Sequence, residues 1–487
     1  MTYEVPHFIN GKTIPPLGRK LDIYNPATGL LSGHVGAGNK RMVDQAVEAA
    51  AKAFPAWSAT SPFHRAKILF RYKALLDQHI EELAHLITNE HGKTVAEAIG
   101  SVQRGIDVVD FTCGIPNYLK GKHLEIATEM DSYSLLQPLG VCVGITPFNF
   151  PGMIPLWMFP MAIACGNTFV LKPSEKDPSC SIKLMELAKQ AGVPDGVVNV
   201  VHGDKEVVDA LLAHHDVKAV SFVGSSPIAE YVYKTAIANN KRAQAFGGAK
   251  NHCIVMPDAD MEHAAEAIVA SAYGAAGERC MAVSVVVAVG DQVADALIAK
   301  MKPKIEKLKI GSGTQNDTEM GPLVTKQHWE KVQSYVKLGQ QEGAALIIDG
   351  SAYKPKENED GYFMGACLFD HVKSNMRIYQ EEIFGPVLSI VRAKDFASAL
   401  KLVNEHPYGN GTSIYTRDGY AARTFAEKVQ AGMVGINVSV PVPAAYHSFG
   451  GWKQSIFADT QMYGPDAVRF YTKLKTVTQR WFPETTT

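Results

Sequence analysis

The sequence predicts an α/β protein built from two doubly wound parallel-sheet domains in tandem, with a β-hairpin and a C-terminal strand attached. From residue 140 onward, short β-branched runs alternate with helical stretches, which is the pattern of β-α-β units. The alternation starts again near residue 251 and continues to about residue 436. The length of 487 residues also favours several domains over one, at roughly 150 residues per domain.

The first elements in the chain are predicted to be helices. Between residues 40 and 118 apolar side chains recur at helical spacing. Residues 123–136 alternate apolar and polar side chains instead, which predicts a hairpin. The last stretch, residues 468–481, is rich in β-formers and is expected to add a strand to another element, such as a partner subunit.

The elements of the two domains follow from the alternation. In the first, strands are predicted over residues 168–171, 197–201 and 219–223, and helices over residues 180–191, 207–213 and 227–238. In the second, a helix over residues 262–272 precedes a strand over residues 283–289. Two such domains place the default ligand site in the cleft between them.

Composition and charge exclude several classes of protein. The 48 Lys and Arg residues balance 49 Asp and Glu residues, so the clustered positive charge of a nucleic-acid or polybasic membrane binder is not expected. No apolar run reaches the ~18 residues of a spanning helix, and residues 1–12 show no targeting pattern. The seven scattered cysteines favour free thiols in a reducing compartment. The sequence therefore predicts a cytoplasmic enzyme that binds neither nucleic acid nor membrane.

Two turns after predicted strands are candidates for a nucleotide site. Gly224 and Ser225 follow a buried strand and precede a helix, whose free N–H groups suit a pyrophosphate. Lys172 and Glu175 follow another strand, at the edge where doubly wound sheets bind ligands, and could hold ribose hydroxyls. Each pattern is also typical of an ordinary turn or a solvated loop.

Cys280 is the candidate nucleophile. It follows the small, flexible segment Gly274-Ala275-Ala276-Gly277, which lets a substrate approach closely, and it adjoins Arg279, whose charge favours the thiolate. The alternative is a small buried hydrophobic residue, as for the other six cysteines. Because no metal-ligand spacing occurs, no metal site is expected.

Two further segments place a polar side chain beside apolar rings. Asn149 stands between Pro147 and Pro151, so its amide is a candidate for an oxyanion hole, with a simple turn as the alternative. Glu382 and Phe384 pair a carboxylate with an aromatic ring before a turn. The alternative for this pair is a surface carboxylate beside a core ring.

Together and in this order, these segments resemble the NAD-dependent aldehyde dehydrogenase family over nearly the whole chain. The landmarks that carry the resemblance are Pro147-Phe148-Asn149-Phe150-Pro151, Lys172-Pro173-Ser174-Glu175, Phe222-Val223-Gly224-Ser225, Cys280, Met320-Gly321-Pro322-Leu323, residues 381–387 and Ser448-Phe449-Gly450-Gly451-Trp452-Lys453. Their specificity comes from the common order rather than from any one of them. The resemblance implies the fold of that family.

The resemblance also implies a role for each candidate residue. Phe148 would contact NAD. Lys172 and Glu175 would bind its adenosine ribose, and Gly224 and Ser225 its pyrophosphate. Glu382 and Phe384 would bind the nicotinamide-ribose end. Cys280 would attack the aldehyde, and Asn149 with the Cys280 N–H would stabilise the oxyanion. Hydride transfer to NAD would leave a thioester on Cys280.

Domain organisation and assembly are implied in the same way. Residues 1–122 and 140–250 would form the NAD-binding domain, and residues 251–440 the catalytic domain. Residues 123–139 and 441–487 would form the oligomerisation element of a homodimer or homotetramer.

One departure from the family pattern bears on the chemistry. Hydrolytic members carry Glu-Leu-Gly-Gly-Lys, whose glutamate activates water, whereas Phe246 stands at the aligned position here. A phenyl ring cannot accept a proton, and residues 457–461 lack a second glutamate often found there. A thiol such as coenzyme A needs less help, because part of it is thiolate near neutral pH. Cleavage of the thioester by coenzyme A is therefore expected.

These features resemble the methylmalonate-semialdehyde dehydrogenase branch of the family. The resemblance lies in residues 248–252, in residues 278–282 and in residues 155–162. It implies conversion of malonate or methylmalonate semialdehyde to acetyl- or propionyl-coenzyme A with loss of CO2. That branch usually has Asn and Met where this chain has Phe246 and Gly247.

A carboxylate-bearing aldehyde needs a cation, and Arg104 and Arg279 are the candidates. Arg104 lies on a predicted helix over residues 102–111, where a plain surface arginine is the alternative. Two other functions stay open. One is a hydrolytic aldehyde dehydrogenase whose base lies elsewhere, with Glu278 nearest in sequence, and the other is an NAD-binding protein without catalysis. Glu175 would repel a 2′-phosphate, which favours NAD over NADP.

Overall fold

Five short strands and a group of helices begin the chain in the computed structural model, which describes residues 2–16, 18–458 and 460–482. The strands are β1 (Tyr3–Val5), β2 (His7–Ile9), β3 (Lys12–Ile14), β4 (Lys20–Tyr24) and β5 (Leu31–Gly36). The helices are α1 (Lys40–Ala59), α2 (Pro62–Gln78), α3 (Ile80–His91), α4 (Val95–Cys113) and α5 (Ile115–Tyr118). The predicted helical stretch is confirmed, and a capping box of Thr94 and Glu97 starts α4.

An eight-stranded sheet follows the pattern predicted for the first domain. Its elements are β8 (Val141–Ile145), α6 (Met153–Ala164), β9 (Thr168–Lys172), α7 (Ser179–Ala191), β10 (Val198–Val200), α8 (Lys205–Ala213), β11 (Val217–Val223), α9 (Ser226–Ala238) and β12 (Arg242–Phe246), introduced by the hairpin β6 (His123–Ala127) and β7 (Met130–Pro138). The five central strands are parallel in the order β12-β11-β8-β9-β10, with β2 and β3 at one edge. The order reverses beside β8, as in a doubly wound sheet.

The second large sheet has seven strands and the same winding. Its region contains β13 (Asn251–Val255), α10 (Met261–Tyr273), a 3₁₀ turn (Gly274–Gly277), β14 (Val283–Val289), α11 (Asp291–Glu306), α12 (Lys326–Gln341), β15 (Ala345–Ile348), β16 (Cys367–Asp370), α13 (Arg377–Gln380), β17 (Val387–Ala393), α14 (Phe396–Glu405), β18 (Tyr408–Gly409), β19 (Gly411–Tyr415), α15 (Gly419–Lys428) and β20 (Met433–Ile436). The strand order is β15-β16-β17-β14-β13-β19-β20, parallel except for β15. The two sheets confirm the predicted fold class.

Burial explains why these elements form where they do. β8, β9 and β13 are buried at every residue, which is typical of parallel strands covered by helices on both faces. α6 is buried at all 12 of its residues, so its run of apolar side chains forms a core helix. This helix packs behind the end of β8 and helps to fix the loop that carries Asn149.

The C-terminal part differs from its prediction. β21 (Trp452–Lys453) and β22 (Ile456–Phe457) are followed by α16 (Pro465–Tyr471), so the predicted strand over residues 468–481 is wrong at its start, where the apolar side chains of a helix meet the core. β23 (Thr472–Arg480) pairs antiparallel with β7 of the same chain. Residues 459 and 483–487 of the predicted C-terminal segment lie outside the described residues, and the domain boundaries stay predictions.

Candidate active site

Two cavities meet at Cys280, at the point where the first sheet reverses its strand order. The first cavity, of about 200 Å³, lies above the ends of β8 and β11. Its lining includes Phe148, Asn149, Gly224, Ser225, Cys280, His328, Glu382 and Phe384. The second cavity, of about 250 Å³, lies toward α4 and α6. Its lining includes Lys93, Glu97, Arg104, Trp157, Arg279, Cys280 and Phe449.

The first cavity gathers most of the residues predicted to bind a cofactor. Gly224 and Ser225 follow β11 and lead into α9, so the free N–H groups of this helix begin at the cavity. Glu382 Oε1 accepts the Ala249 N–H at 2.9 Å, and burial raises the pKa of Glu382. A Cβ at Gly248 would lie 2.5 Å from Glu382 Oε2, which explains why the chain has glycine there.

Two aromatic rings that line this cavity pack against each other. Phe148 and Phe384 meet edge to face, with ring centroids 5.9 Å apart and planes at 89°. Phe384 has a φ of +62°, a left-handed conformation that is unusual for an aromatic residue. Its carbonyl accepts the His328 Nε2–H at 2.6 Å, which holds that conformation. His328 was not predicted, because no sequence pattern marks it.

Lys172 and Glu175 lie apart from this pair of rings, at the end of β9. Lys172 Nζ is 3.1 Å from Glu175 Oε2. Burial alone would raise the pKa of Glu175, but the Lys172 ammonium and the hydrogen bonds to the carboxylate outweigh it, so the pKa is lowered. Glu175 is therefore ionised at neutral pH.

Cys280 is partly exposed, whereas the other six cysteines are buried. Burial of its sulfur and the nearby Glu382 carboxylate raise the pKa of Cys280 to about 12, although Arg279 and Lys93 act in the opposite direction. The expectation that Arg279 favours the thiolate is right in sign, but burial outweighs it. The resting form of Cys280 is the thiol.

Asn149 reaches the nucleophile segment directly. Its Nδ2 donates to the Glu278 carbonyl at 3.0 Å, and its own carbonyl accepts a hydrogen bond from Lys93 Nζ. Asn149 is only 3% exposed, so its amide is held rigidly beside the first cavity. Such a fixed donor next to a thiol is what an oxyanion site requires.

The second cavity has apolar walls and cationic side chains. Trp157 and Phe449 pack against each other with their ring centroids 5.0 Å apart and their planes tilted by 44°. Arg279 donates through Nη2 to the carbonyls of Ala270 and Ser271, and its buried Nε has no hydrogen-bond partner among the described residues. Arg104 projects from α4 into the same cavity. The structure thus brings both predicted arginines to one space with Cys280.

Phe246 and Glu278 occupy the core rather than either cavity. Phe246 ends β12, is 3% exposed, and has its ring 6.4 Å from that of Phe449. The Glu278 carboxyl is fully buried, where it accepts the Val324 N–H at 3.2 Å, and burial raises its pKa to about 8. Neither residue stands where it could activate a water molecule at Cys280.

Lys93 and Glu97 line the second cavity but are not among the residues predicted from the sequence. Glu97 accepts the Ala275 N–H at 2.6 Å, just before the nucleophile. The pattern Thr94-x-x-Glu97 before an apolar run is a capping-box signature and could have marked this segment as ordered. The contact of Glu97 with Ala275, however, joins residues that are far apart in the sequence, so no local pattern predicts it.

In the described part of the chain, one group of side chains has ligand atoms close enough for a metal ion. His214, His215 and Asp216 have such atoms within 4.8 Å of one another. The two imidazole rings are stacked, with an angle of 12° between their planes. Among the described residues, no helix is long and apolar enough to cross a bilayer.

Known proteins resemble this chain along almost its full length. The model of the aldehyde dehydrogenase family matches residues 14–477. A malonate-semialdehyde dehydrogenase of Pseudomonas aeruginosa is 54% identical over 98% of this chain and 96% of its own. A Halalkalibacterium halodurans protein of the same name is 49% identical over 98% of each chain.

Solved structures agree with these relatives. A structure from Sinorhizobium meliloti, described as a methylmalonate-semialdehyde dehydrogenase complexed with NAD, has a TM-score of 0.99 at 52% identity and covers 100% of this chain and 99% of its own. A methylmalonate-semialdehyde dehydrogenase from Oceanimonas doudoroffii has a TM-score of 0.98 at 55% identity and 99% coverage of each chain. This chain belongs to the aldehyde dehydrogenase family and has its fold.

Proposed function

We propose that the protein is an NAD-dependent, coenzyme A-acylating dehydrogenase of malonate or methylmalonate semialdehyde. The products are acetyl- or propionyl-coenzyme A, NADH and CO2. The observation that carries the proposal is the second cavity, which joins Cys280 to two arginines while Phe246 occupies the position of the hydrolytic base. The names and the bound NAD of the relatives support it.

The first cavity suits NAD. Glu382 offers a carboxylate to ribose hydroxyls, the Gly224-Ser225 turn offers N–H groups to a pyrophosphate, and Phe148 with Phe384 offers an apolar surface to a ring. Lys172 and Glu175 would hold the adenosine ribose. When bound, NAD supplies the hydride acceptor. The charge of Glu175 favours NAD over NADP.

The acyl chemistry falls to Cys280 and its neighbours. The Cys280 sulfur, once deprotonated, adds to the aldehyde carbon, and the Asn149 amide with the Cys280 N–H stabilises the oxyanion. Loss of hydride from that carbon leaves a thioester on Cys280. The bond between the substrate carboxylate and the α-carbon breaks with loss of CO2, its electron pair forms the enolate of the thioester, and the α-carbon then takes up a proton. The thiolate of coenzyme A takes the acyl group and releases Cys280.

Arg104 and Arg279 would bind the substrate carboxylate. Both arginines line the second cavity, where a guanidinium group can bind a carboxylate through charge-assisted hydrogen bonds. Trp157 and Phe449 would surround the short carbon chain.

The protein is also proposed to be a cytoplasmic homodimer or homotetramer. Leu124 in β6, Leu135 in β7 and Leu474 in β23 are exposed on one small three-stranded sheet, and a partner subunit would cover them. The free thiols of all seven cysteines suit a reducing compartment.

The test is NADH formation from malonate semialdehyde with and without coenzyme A, with the products identified by mass. Acetyl-coenzyme A and CO2 are expected, with the rate falling at least ~10-fold when coenzyme A is left out, because Phe246 replaces the glutamate that activates water in hydrolytic members. Propanal serves as the control aldehyde without a carboxylate. Rapid turnover to a free acid without coenzyme A would contradict the proposal and indicate a hydrolytic enzyme.

A further inference from the structure

The segment of residues 91–97, which contains the turn between α3 and α4 and the start of α4, reaches both sides of the candidate active site. Lys93 Nζ donates to the Asn149 carbonyl and lies 4.3 Å from the centre of the Phe150 ring. Glu97 Oε1 accepts the Ala275 N–H at 2.6 Å. One short segment therefore contacts both the oxyanion donor and the backbone that leads to Cys280.

The backbone held by Glu97 has an unfavourable conformation. Ala275, Ala276 and Gly277 have φ angles of +48°, +51° and +73°, so three consecutive residues are left-handed. Residues with a Cβ avoid this region, and two of the three are alanines. Such a conformation persists only where its surroundings hold it. Cys280 follows three residues later, so its position depends on how this turn is held.

The contacts on the two sides of Cys280 come from different places. Downstream, the Cys280 carbonyl accepts hydrogen bonds from Asn251 Nδ2 at 2.8 Å and from Asn410 Nδ2 at 3.0 Å. Upstream, the side chain that binds the left-handed turn is Glu97. Glu97 is thus the upstream counterpart of the two asparagines.

Glu97 is itself fixed in place. Its Oε2 accepts the N–H and the hydroxyl of Thr94 at 3.1 and 3.2 Å, which completes the capping box of α4. Both carboxylate oxygens are occupied, so Glu97 is arranged to hold the backbone rather than to exchange protons with a substrate.

The turn is supported in its own right by a landmark that had no assigned role. A Cβ at Gly321 would lie 2.1 Å from the Gly92 carbonyl oxygen, and a Cβ at Gly313 would lie 2.3 Å from that of Lys93. Glycine at these positions lets the loop that contains residues 320–323 pack directly on the turn. The loop thereby fixes residues 92–94 against the second half of the chain.

We propose that Glu97 is a positioning residue for Cys280. By binding the Ala275 N–H, its carboxylate holds the left-handed turn that places the thiol at the junction of the two cavities. The inference rests on the proposed function only in taking Cys280 as the nucleophile.

The test uses the full-length Glu97→Ala and Glu97→Gln variants and the rate at which iodoacetamide alkylates Cys280, mapped by mass. Cys280 is partly exposed and the other cysteines are buried, so the label reports this thiol. For Glu97→Ala, alkylation and propanal oxidation at saturating NAD are both expected to slow about 10- to 100-fold, as for a misplaced reacting group. NAD affinity should stay within about twofold, since the first cavity is untouched.

Glu97→Gln keeps one carbonyl oxygen, so its alkylation and oxidation rates should lie between those of Glu97→Ala and the unsubstituted protein. This second variant keeps the test valid if the alanine variant does not fold. The matched control is Gln103→Ala on the exposed face of the same helix, which should behave as the unsubstituted protein. Unchanged alkylation in both Glu97 variants, with only a lower melting temperature, would overturn the proposal. The Cys280→Ala variant separates the proposed function from the proposed role of Glu97, because its NADH formation tests whether Cys280 is the nucleophile and not how Glu97 acts.

Discussion

The two cavities that meet at Cys280 are built in different ways. The first is lined by turns that directly follow strands of the large sheets, such as Gly224 and Ser225 after β11. The second is lined by side chains from α4, α6 and the loop near Phe449, which are far apart in the sequence. Most of the predicted residues of the first cavity therefore lie in local sequence motifs, with His328 as an unpredicted exception, whereas the side chains of the second cavity come together only after the chain has packed.

This difference suggests a division of labour. Local motifs at strand ends can be kept constant while the distant side chains of the second cavity change, so one cofactor site can serve many substrates. In this chain the side chains that line the second cavity include Arg104, Arg279 and the neighbouring Lys93. The substrate preference should depend on those residues, and the cofactor preference on the strand-end turns.

The largest expected effect concerns the thiol at the junction. Because burial raises the pKa of Cys280 to about 12, the thiolate fraction should rise with every increase in pH across the range near neutrality. The iodoacetamide rate of the protein without ligands should climb roughly 100-fold from pH 7 to pH 9, since thiolate increases about tenfold per unit below the pKa. The rate is measured by mass, with Cys280→Ala as the blank. A plateau below pH 8 would show that Arg279 and Lys93 outweigh burial.

The second effect separates the cavities. Arg104→Leu should raise KM for malonate semialdehyde about 10- to 50-fold, because a charge-assisted hydrogen bond to the carboxylate is lost. KM for propanal and for NAD should change little, since neither contacts this side chain. Steady-state NADH formation with the two aldehydes measures the split.

Arg41→Leu on the exposed face of α1 is the matched control, because it removes the same charge away from both cavities. Equal changes in KM for the two aldehydes would remove Arg104 from carboxylate binding. Equal changes in KM for malonate semialdehyde and for NAD would also contradict the assignment of the aldehyde and the cofactor to different cavities.

The same division explains what the sequence could predict. β14 is predicted over residues 283–289 as observed, because an apolar, valine-rich run ends at a glycine. The strand-end residues of the first cavity were found for the same reason. The contact of Glu97 with Ala275 and the packing of Phe246 on Phe449 join residues more than 170 positions apart, and no local pattern encodes them. The helix α16 is not predicted because three of its four buried residues, Val468, Phe470 and Tyr471, are β-branched or aromatic.

The smallest expected effect lies at the turn after β9, outside the lining of the first cavity. Glu175 is ionised, because the pKa of its carboxyl is lowered beside Lys172, and a 2′-phosphate on the adenosine ribose would meet that charge. Glu175→Gln removes the charge at nearly constant size, so KM for NADP should fall about fivefold while KM for NAD rises less than that, in line with roughly 1 kcal/mol for an exposed charge pair. Steady-state NADH and NADPH formation with propanal measures both constants. Glu186→Gln, which removes an exposed carboxylate from α7, is the control. An unchanged NADP constant would mean that the turn after β9 does not set the cofactor preference, which would then depend on side chains from elsewhere in the chain.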